Sequence, residues 1–309
     1  MKNSSILNII LAVCLLLLLI KLNTQKSEPE AYSGFEESLE MESHPVVVKD
    51  NDIIVSHQAW VKLTVAESKR LIAKGLVKYP LVAQKLKKGQ IIITRGTSNT
   101  YVAEELLNEK IIPGAFVTGR ITPEKGEGLG EVKNKISEIV LRNGKRVDVN
   151  FPEALDASNN FDIVFKGANL LNYSQRKAAV LIGSSTGGTL GQVLLRMKKD
   201  KNKIRLIIPV GLEKNSSYDL QALSEKLQFK PKNIDKKVPE LWLLPGEIFT
   251  EIEAIKQFAD VEVSQIGSGG IAGAEGAVSL LIRGEEAEVK KALKIIREIQ
   301  GEPAFKNKF

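Results

Sequence analysis

Histidine and cysteine are nearly missing from this chain: two and one, respectively, among 309 residues. The cysteine, Cys14, stands inside an apolar N-terminal run, so the body has no thiol nucleophile and one chain forms no disulfide. The histidines, His44 and His57, both lie early. No His, Cys or carboxylate cluster has metal-ligand spacing, so neither a metal nor a cofactor is expected. Aromatic residues, at 6%, are too sparse to interleave with a basic stripe, which argues against nucleic acid as partner although the formal charge is +7. The charge is uneven. In residues 23–45 Lys26 is set against Glu28, Glu30, Glu36, Glu37, Glu40 and Glu42, so the net positive charge belongs mainly to the body. Such a body favours acidic partners: metabolites, anionic headgroups or nucleic acid.

What is present begins with residues 6–20, apolar except for Asn8 and holding five consecutive leucines at 15–19. A helix rising about 1.5 Å per residue is slightly short here for a hydrocarbon core of about 30 Å. Lys2 and Lys21 close the gap by snorkelling. No small-residue cleavage site follows the run, and Cys14 precedes its end, so neither a cleaved signal nor a lipoprotein cysteine fits. The expectation is a single-pass membrane anchor over residues 1–22 and an acidic flexible tether over 23–45. Lys2 and the amino terminus oppose Lys21 and Lys26, which leaves orientation nearly balanced, the extracytoplasmic side slightly ahead.

From residue 46 onward, short β-branched runs alternate with helical patterns, the pattern of an α/β body with a mostly parallel, Rossmann-like sheet. Residues 46–48 and 53–55 read as short strands. Thr64 and Glu67 form a capping box that opens a helix to about Lys74, with Gly75 ending it. Residues 81–88 read as a helix stopped by Gly89, 90–94 as a buried strand and 101–108 as a helix. The runs 161–165, 178–182 and 204–210 have strand length, with a helix over 189–199. A soft boundary in the lysine-rich stretch 230–237 divides a ligand-binding domain, 46–235, from a smaller ferredoxin-like α+β domain, 236–309. That part reads as strand 241–244, helix 247–259, strands 261–266 and 277–282, and an amphipathic helix 285–299.

Four glycine-bearing loops follow the predicted strands, where open α/β sheets place ligands. In the first, Arg95, Gly96, Thr97, Ser98 and Asn99 offer backbone N–H groups, hydroxyls and a cation to phosphate or carboxylate. An ordinary turn in which Thr97 or Asn99 caps the helix explains the same residues. The second, residues 183–191, fits G-x-S-x-G around Ser185, but no histidine follows to serve as base. It has Walker A spacing too, with Thr189 where lysine must stand. What survives is a backbone-lined turn with Ser184, Ser185, Thr186, Gly187 and Gly188 suited to an anion. The third, residues 267–276, has no room for a crossover helix before the next strand, so a hairpin or shaped loop is expected, covering a ligand or an oligomer contact. The fourth places Lys166 beside Gly167 at a strand end, where an ammonium could hold phosphate or polarise a carbonyl. Glu213, at another strand end, is the best-placed carboxylate for proton transfer. Lys166 and Glu213 are the candidate catalytic residues.

The strand followed by a Gly-Thr-Ser turn at 96–98, with a later strand running into Lys166-Gly167-Ala168, resembles the sugar-phosphate isomerase and CoA-transferase superfamily over residues 60–215. The resemblance implies phosphate or carboxylate binding more than isomerisation. The expected function is that of a membrane-anchored protein that binds, and on one reading converts, a small anionic metabolite. The alternative is a non-catalytic sensory or assembly module displayed on the membrane, with homo-oligomerisation open in either case.

Overall fold

The computed structural model describes residues 48–305 except 51, 52, 120, 126–131, 133, 185, 201–203, 230 and 232–237. The expected anchor and tether lie outside the described residues. Among the described residues no helix is long and apolar enough to cross a membrane.

A short antiparallel ribbon, β1 (Val48–Asp50) and β2 (Ile53–Val55), precedes β3 (His57–Leu63). Helix α1 (Val65–Lys78) follows, opened by the expected capping box. The Thr64 hydroxyl accepts from the Glu67 N–H at 3.3 Å, and the Glu67 carboxylate accepts from the Thr64 N–H at 2.8 Å. Gly75 does not end this helix. It sits inside it, where a Cβ would lie 2.6 Å from the Ala254 Cα, so a close helix–helix approach rather than a turn explains the glycine. Next come α2 (Pro80–Lys87), β4 (Gln90–Ile93) and α3 (Thr97–Leu107). The last starts four residues earlier than its apolar pattern suggests. A hairpin, β5 (Ile139–Arg142) and β6 (Lys145–Val147), turns on Asn143 and Gly144, both at positive φ as such a two-residue turn requires.

Then follow α4 (Phe151–Ala157), β7 (Asp162–Phe165), β8 (Leu170–Asn172), β9 (Lys177–Ile182) and α5 (Gly188–Lys199). The rest comprises β10 (Ile204–Pro209), a 3₁₀ turn at Leu212–Lys214, α6 (Leu220–Gln228), β11 (Glu240–Leu244), β12 (Glu247–Phe249) and α7 (Glu251–Lys256). The described chain ends with β13 (Glu262–Ser268), β14 (Val278–Gly284), α8 (Glu286–Ile299) and residues 300–305.

The main sheet is mixed, in the order β12-β10-β7-β4-β5-β6. Its first four strands are mutually parallel and the β5–β6 hairpin adds an antiparallel edge. Every residue of β4 and β7 is buried, as strands covered on both faces must be. The parallel strands end nearly in a row: Ile93 pairs with Phe165, Phe165 with Ile207, and Pro209 with Phe249. One further bond past each end, from the N–H groups of Thr94, Lys166 and Val210, holds the loops that follow at 3.1 Å geometry.

Two smaller sheets depart from the expected layout. Residues 178–182 were expected in the parallel sheet; β9 instead pairs antiparallel with β8 and β11. Its apolar run is what either setting demands, so composition does not separate them. The C-terminal strands do not form a sheet of their own. β11 joins β9, β12 becomes the edge of the main sheet, and the β13–β14 hairpin continues onto β3. Residues 247–249, expected to begin a helix, are that edge strand; α7 starts only after Thr250 caps it.

Candidate functional site

The loops at the ends of β4, β7 and β9 meet on one cavity of about 1180 Å³. Its wall takes Arg95, Gly96, Thr97 and Ser98 from the first loop, Lys166 and Gly167 from the second, and Ser184, Gly187 and Gly188 from the third. The first two loops follow adjacent parallel strands. The third arrives from the separate antiparallel sheet, brought in by Asn169: its N–H donates to the Ala179 carbonyl at 2.9 Å and its side-chain oxygen accepts from the Leu181 N–H at 3.0 Å.

Two helices begin at this wall on bare glycine. Gly96 precedes α3 and Gly187 precedes α5, and neither start has a side-chain cap. By contrast α1, α4, α6 and α7 open under a side-chain oxygen from Thr64, Asn150, Asp219 and Thr250. Among the described residues the N–H groups of Thr97, Ser98 and Asn99, and of Gly188, Thr189 and Leu190, have no acceptor, as the first turn of a helix leaves them. The Gly96 N–H is not available, because it donates to the Phe116 carbonyl at 2.9 Å. Gly187 and Gly188 are both at positive φ, and a Cβ on Gly187 would strike the Trp242 ring at 2.6 Å. Gly96 has extended backbone and open space around its Cβ position, so neither conformation nor room demands glycine there.

Several expected ligand residues have other duties. Asn99 is fully buried and is not part of the wall. Its amide donates to the Thr94 carbonyl at 2.7 Å and to the Phe165 carbonyl at 3.1 Å, clamping the ends of β4 and β7 together. Thr186 is exposed and off the wall, with its hydroxyl 3.0 Å from that of Ser184. Ser185 lies outside the described residues. Arg95 is on the wall but half-engaged: its Nε donates to Glu138 at 3.0 Å.

The charged groups at this end of the sheet form one cluster. Lys166 is on the wall and, among the described residues, its ammonium has no hydrogen-bond or ion-pair partner. Burial holds its pKa below the ordinary lysine value, opposed by Glu138 and aided by Lys214. Lys214 also lines the cavity, its Nζ donating to the Ala168 carbonyl at 2.8 Å and standing 3.9 Å from a Glu213 oxygen. Glu213 itself is not on the wall. It folds back over Gly211, and its Oε2 is buried without a partner. Beside it Glu251, the first residue of α7, is fully buried and accepts from the Leu212 N–H at 3.0 and 3.2 Å through its two oxygens. Burial, then the neighbouring Glu213 charge, raise Glu251 to about 7 against the hydrogen bonds it receives.

Sequence reading missed Lys69, Lys214 and Glu251. Lys69 lies on the stripe Val65, Lys69, Ile72, Leu76 that α1 turns inward, and it is 8% exposed. A lysine at a core position of an amphipathic helix was the available signal. Glu251 was concealed inside the Thr250–Glu253 capping box, where an acidic first turn is ordinary.

A smaller cavity, about 480 Å³, beside Leu194, Ser224 and Trp242 has Glu240 as its one charged lining residue among the described residues. No group of three or more His, Cys, Asp or Glu among the described residues is arranged to hold a metal ion. No protein-family model matches the chain, and no curated protein and no solved structure matches it either.

Proposed function

We propose that the folded body binds a small anionic metabolite, bearing phosphate or carboxylate, in the 1180 Å³ cavity. The carrying observation is Lys166: an ammonium on the cavity wall with no acceptor among the described residues, sharing that wall with two helix starts whose first N–H groups are also free. Burying a cation without a partner is costly. An anion in the cavity supplies the partner, satisfies the helix N–H groups and meets the partial positive charge at both helix starts. Ser98, Thr97 and Ser184 add hydroxyl donors on the same wall. A neutral apolar ligand would leave all of these unpaired.

On this reading the four parallel strands are a Rossmann-like sheet of the sugar-phosphate isomerase and CoA-transferase kind, with the 96–98 turn and the 166–168 segment in the phosphate- or carboxylate-binding places. Residues 1–22 tether the body to a membrane as a single-pass anchor; retention of the full-length chain in membranes through high-salt and alkaline washing is the expected result, with release on deletion of 1–22.

The binding test is calorimetry on the full-length chain with inorganic phosphate, glucose 6-phosphate and lactate, and with glucose as the neutral control. An anion is expected to bind, and Lys166→Met is expected to weaken it by about 10- to 150-fold, the equivalent of one charge-assisted hydrogen bond of about 1.5–3 kcal/mol. Binding of glucose alone, or an anion affinity untouched by Lys166→Met, rejects the assignment.

A further inference from the structure

We infer that Lys69 is a nucleophilic amine that captures the carbonyl carbon of an anionic oxo compound, a 2-oxo acid or an aldehyde-bearing phosphate, as an imine. The inference rests on the anion-binding reading of the same cavity and names the class of ligand that enters it.

Three observations converge on this side chain. Lys69 lines the cavity yet is 8% exposed, so its nitrogen meets a ligand in the cavity rather than bulk water. It has no hydrogen-bond partner, and no ion pair within 4.0 Å, among the described residues, although Glu213 and Glu251 are its electrostatic neighbours. With no ion pair to break, the nitrogen is free to give up its proton and attack a ligand in the cavity. Those two carboxylates are themselves held apart from ordinary surface behaviour. Glu213 keeps a buried oxygen with no partner, and Glu251 is entirely enclosed. Both act electrostatically on the nitrogen.

The charges support the same picture. Burial first, and Lys214 second, bring the Lys69 pKa down to about 8, with Glu213 and Glu251 acting in opposition. Desolvation beside another cation is a recognised way to make a lysine nucleophilic near neutral pH. Glu251, at about 7, exchanges its proton in the same range. An amine, a proton acceptor and a proton donor are therefore present together within one cluster.

The reaction balances without an oxidant or reductant. The nitrogen lone pair forms a bond to the carbonyl carbon, and the C=O π pair moves to oxygen, which takes up a proton from cavity water. The nitrogen gives a proton to the Glu213–Glu251 pair, leaving a neutral carbinolamine. The proton held by the pair then passes to the hydroxyl, the C–O bond breaks, and the hydroxide left by the cavity water takes the remaining N–H proton. Water leaves as the C=N bond forms, so amine and carbonyl become imine and one water. Lys166 and the two helix starts hold the anionic end of the molecule during these steps, as the binding reading requires.

The test traps the imine. The full-length chain at pH 7.5 is incubated with glyoxylate, pyruvate or the neutral propionaldehyde in the presence of sodium cyanoborohydride, and labelled lysines are mapped by peptide mass spectrometry. With its pKa near 8, Lys69 holds about 200-fold more free amine at that pH than a surface lysine of ordinary pKa. Labelling of Lys69 by glyoxylate or pyruvate at least about tenfold faster than the other lysines is expected, since lower basicity gives back part of that advantage. Lys69→Arg should abolish the label, since a guanidinium forms no imine under these conditions. Mapping within the unsubstituted chain keeps the result decisive even if a variant misfolds. Anion binding without preferential Lys69 labelling overturns the imine and leaves the binding reading standing. Equal labelling of Lys69 by propionaldehyde supports the amine and overturns the anion reading. Label spread evenly over surface lysines overturns the proposal outright.

Discussion

Replacing Glu251 with Gln should flatten a specific part of the protein's stability profile. Glu251 is completely buried, and its pKa is raised from 4.5 to about 7 by burial and then by the charge of Glu213. Because the folded state holds this proton more tightly than the unfolded chain, the associated stabilisation is complete below pH 4.5 and is lost as pH rises through about 7. The shift corresponds to about 3 kcal/mol at 1.36 kcal/mol per unit. Glutamine keeps an oxygen to accept the Leu212 N–H and offers its amide hydrogens to Glu213, but it does not titrate. Urea denaturation of both proteins at pH 4.5, 6.0 and 7.5 measures the effect; staying at or below 7.5 limits the contribution of Lys69, whose pKa is about 8. Across that range the variant should gain about 2–3 kcal/mol on the parent. Parallel profiles would show that Glu251 stays ionised down to ordinary carboxylate pH, and would remove both its enclosed environment and its proton-exchange role from the account.

Two further expectations concern the frame that carries the cluster. Gly75→Ala raises helix propensity by about 1 kcal/mol, yet its Cβ would stand 2.6 Å from the Ala254 Cα, so net destabilisation of about 1–2 kcal/mol in chemical denaturation is expected; a stabilised variant would mean that α1 and α7 are not in this contact. Arg70→Met strips the cation from a site where Nη1 donates to Glu105 at 2.9 Å, Nε donates to Glu302 at 3.0 Å, and Nη2 also reaches Glu104. With Arg70 5% exposed and Glu104 10%, a loss of about 3–5 kcal/mol in urea denaturation at pH 7.5 is expected; a loss below about 1 kcal/mol would put the cluster on the footing of a surface ion pair.

What could be read from the sequence followed from local chemistry. The Thr64–Glu67 box is decided by residues three apart, and both of its hydrogen bonds form. The parallel strands were legible because apolar runs such as residues 91–93 and 163–165 have no polar face to turn outward. The β13–β14 hairpin was legible because nine residues separate the strands, too few for a crossover. The failures lie in long-range pairing. Nothing within residues 177–182 tells β9 to pair with β11, some sixty residues on. The Asn143–Gly144 turn was a readable signal that went unread between two short strands. At the candidate site, glycines and hydroxyls pointed to loops that share one cavity, but not to which atoms remain free. Asn99 looks like a ligand residue in sequence and is a clamp in space, because Thr94 and Phe165 present their carbonyls to it. Lys69, fixed on the inner face of α1, carries no loop signal at all.

That fixation is what makes a buried lysine tolerable. Lowering Lys69 from 10.5 to about 8 means that holding it protonated at pH 7 costs about 3 kcal/mol, a cost that disappears only as pH rises toward the unfolded value. An exposed or frayed helix would avoid the cost by letting the side chain swing into water. Helix α1 is denied that escape at several points along its length. Thr64 and Glu67 close its start, and the other Glu67 oxygen accepts the Gly301 N–H at 2.8 Å. One residue beyond Lys69, Arg70 is gripped by carboxylates from α3 and from Glu302. Farther along, Gly75 lets α7 approach to backbone contact, and α7 begins with Glu251. The same three attachments therefore offset the burial cost and set the amine against its two carboxylates. Loosening α1 should release Lys69 to solvent and return it toward ordinary basicity, so the site's chemistry and the helix's stability are coupled through one short segment, residues 64–75.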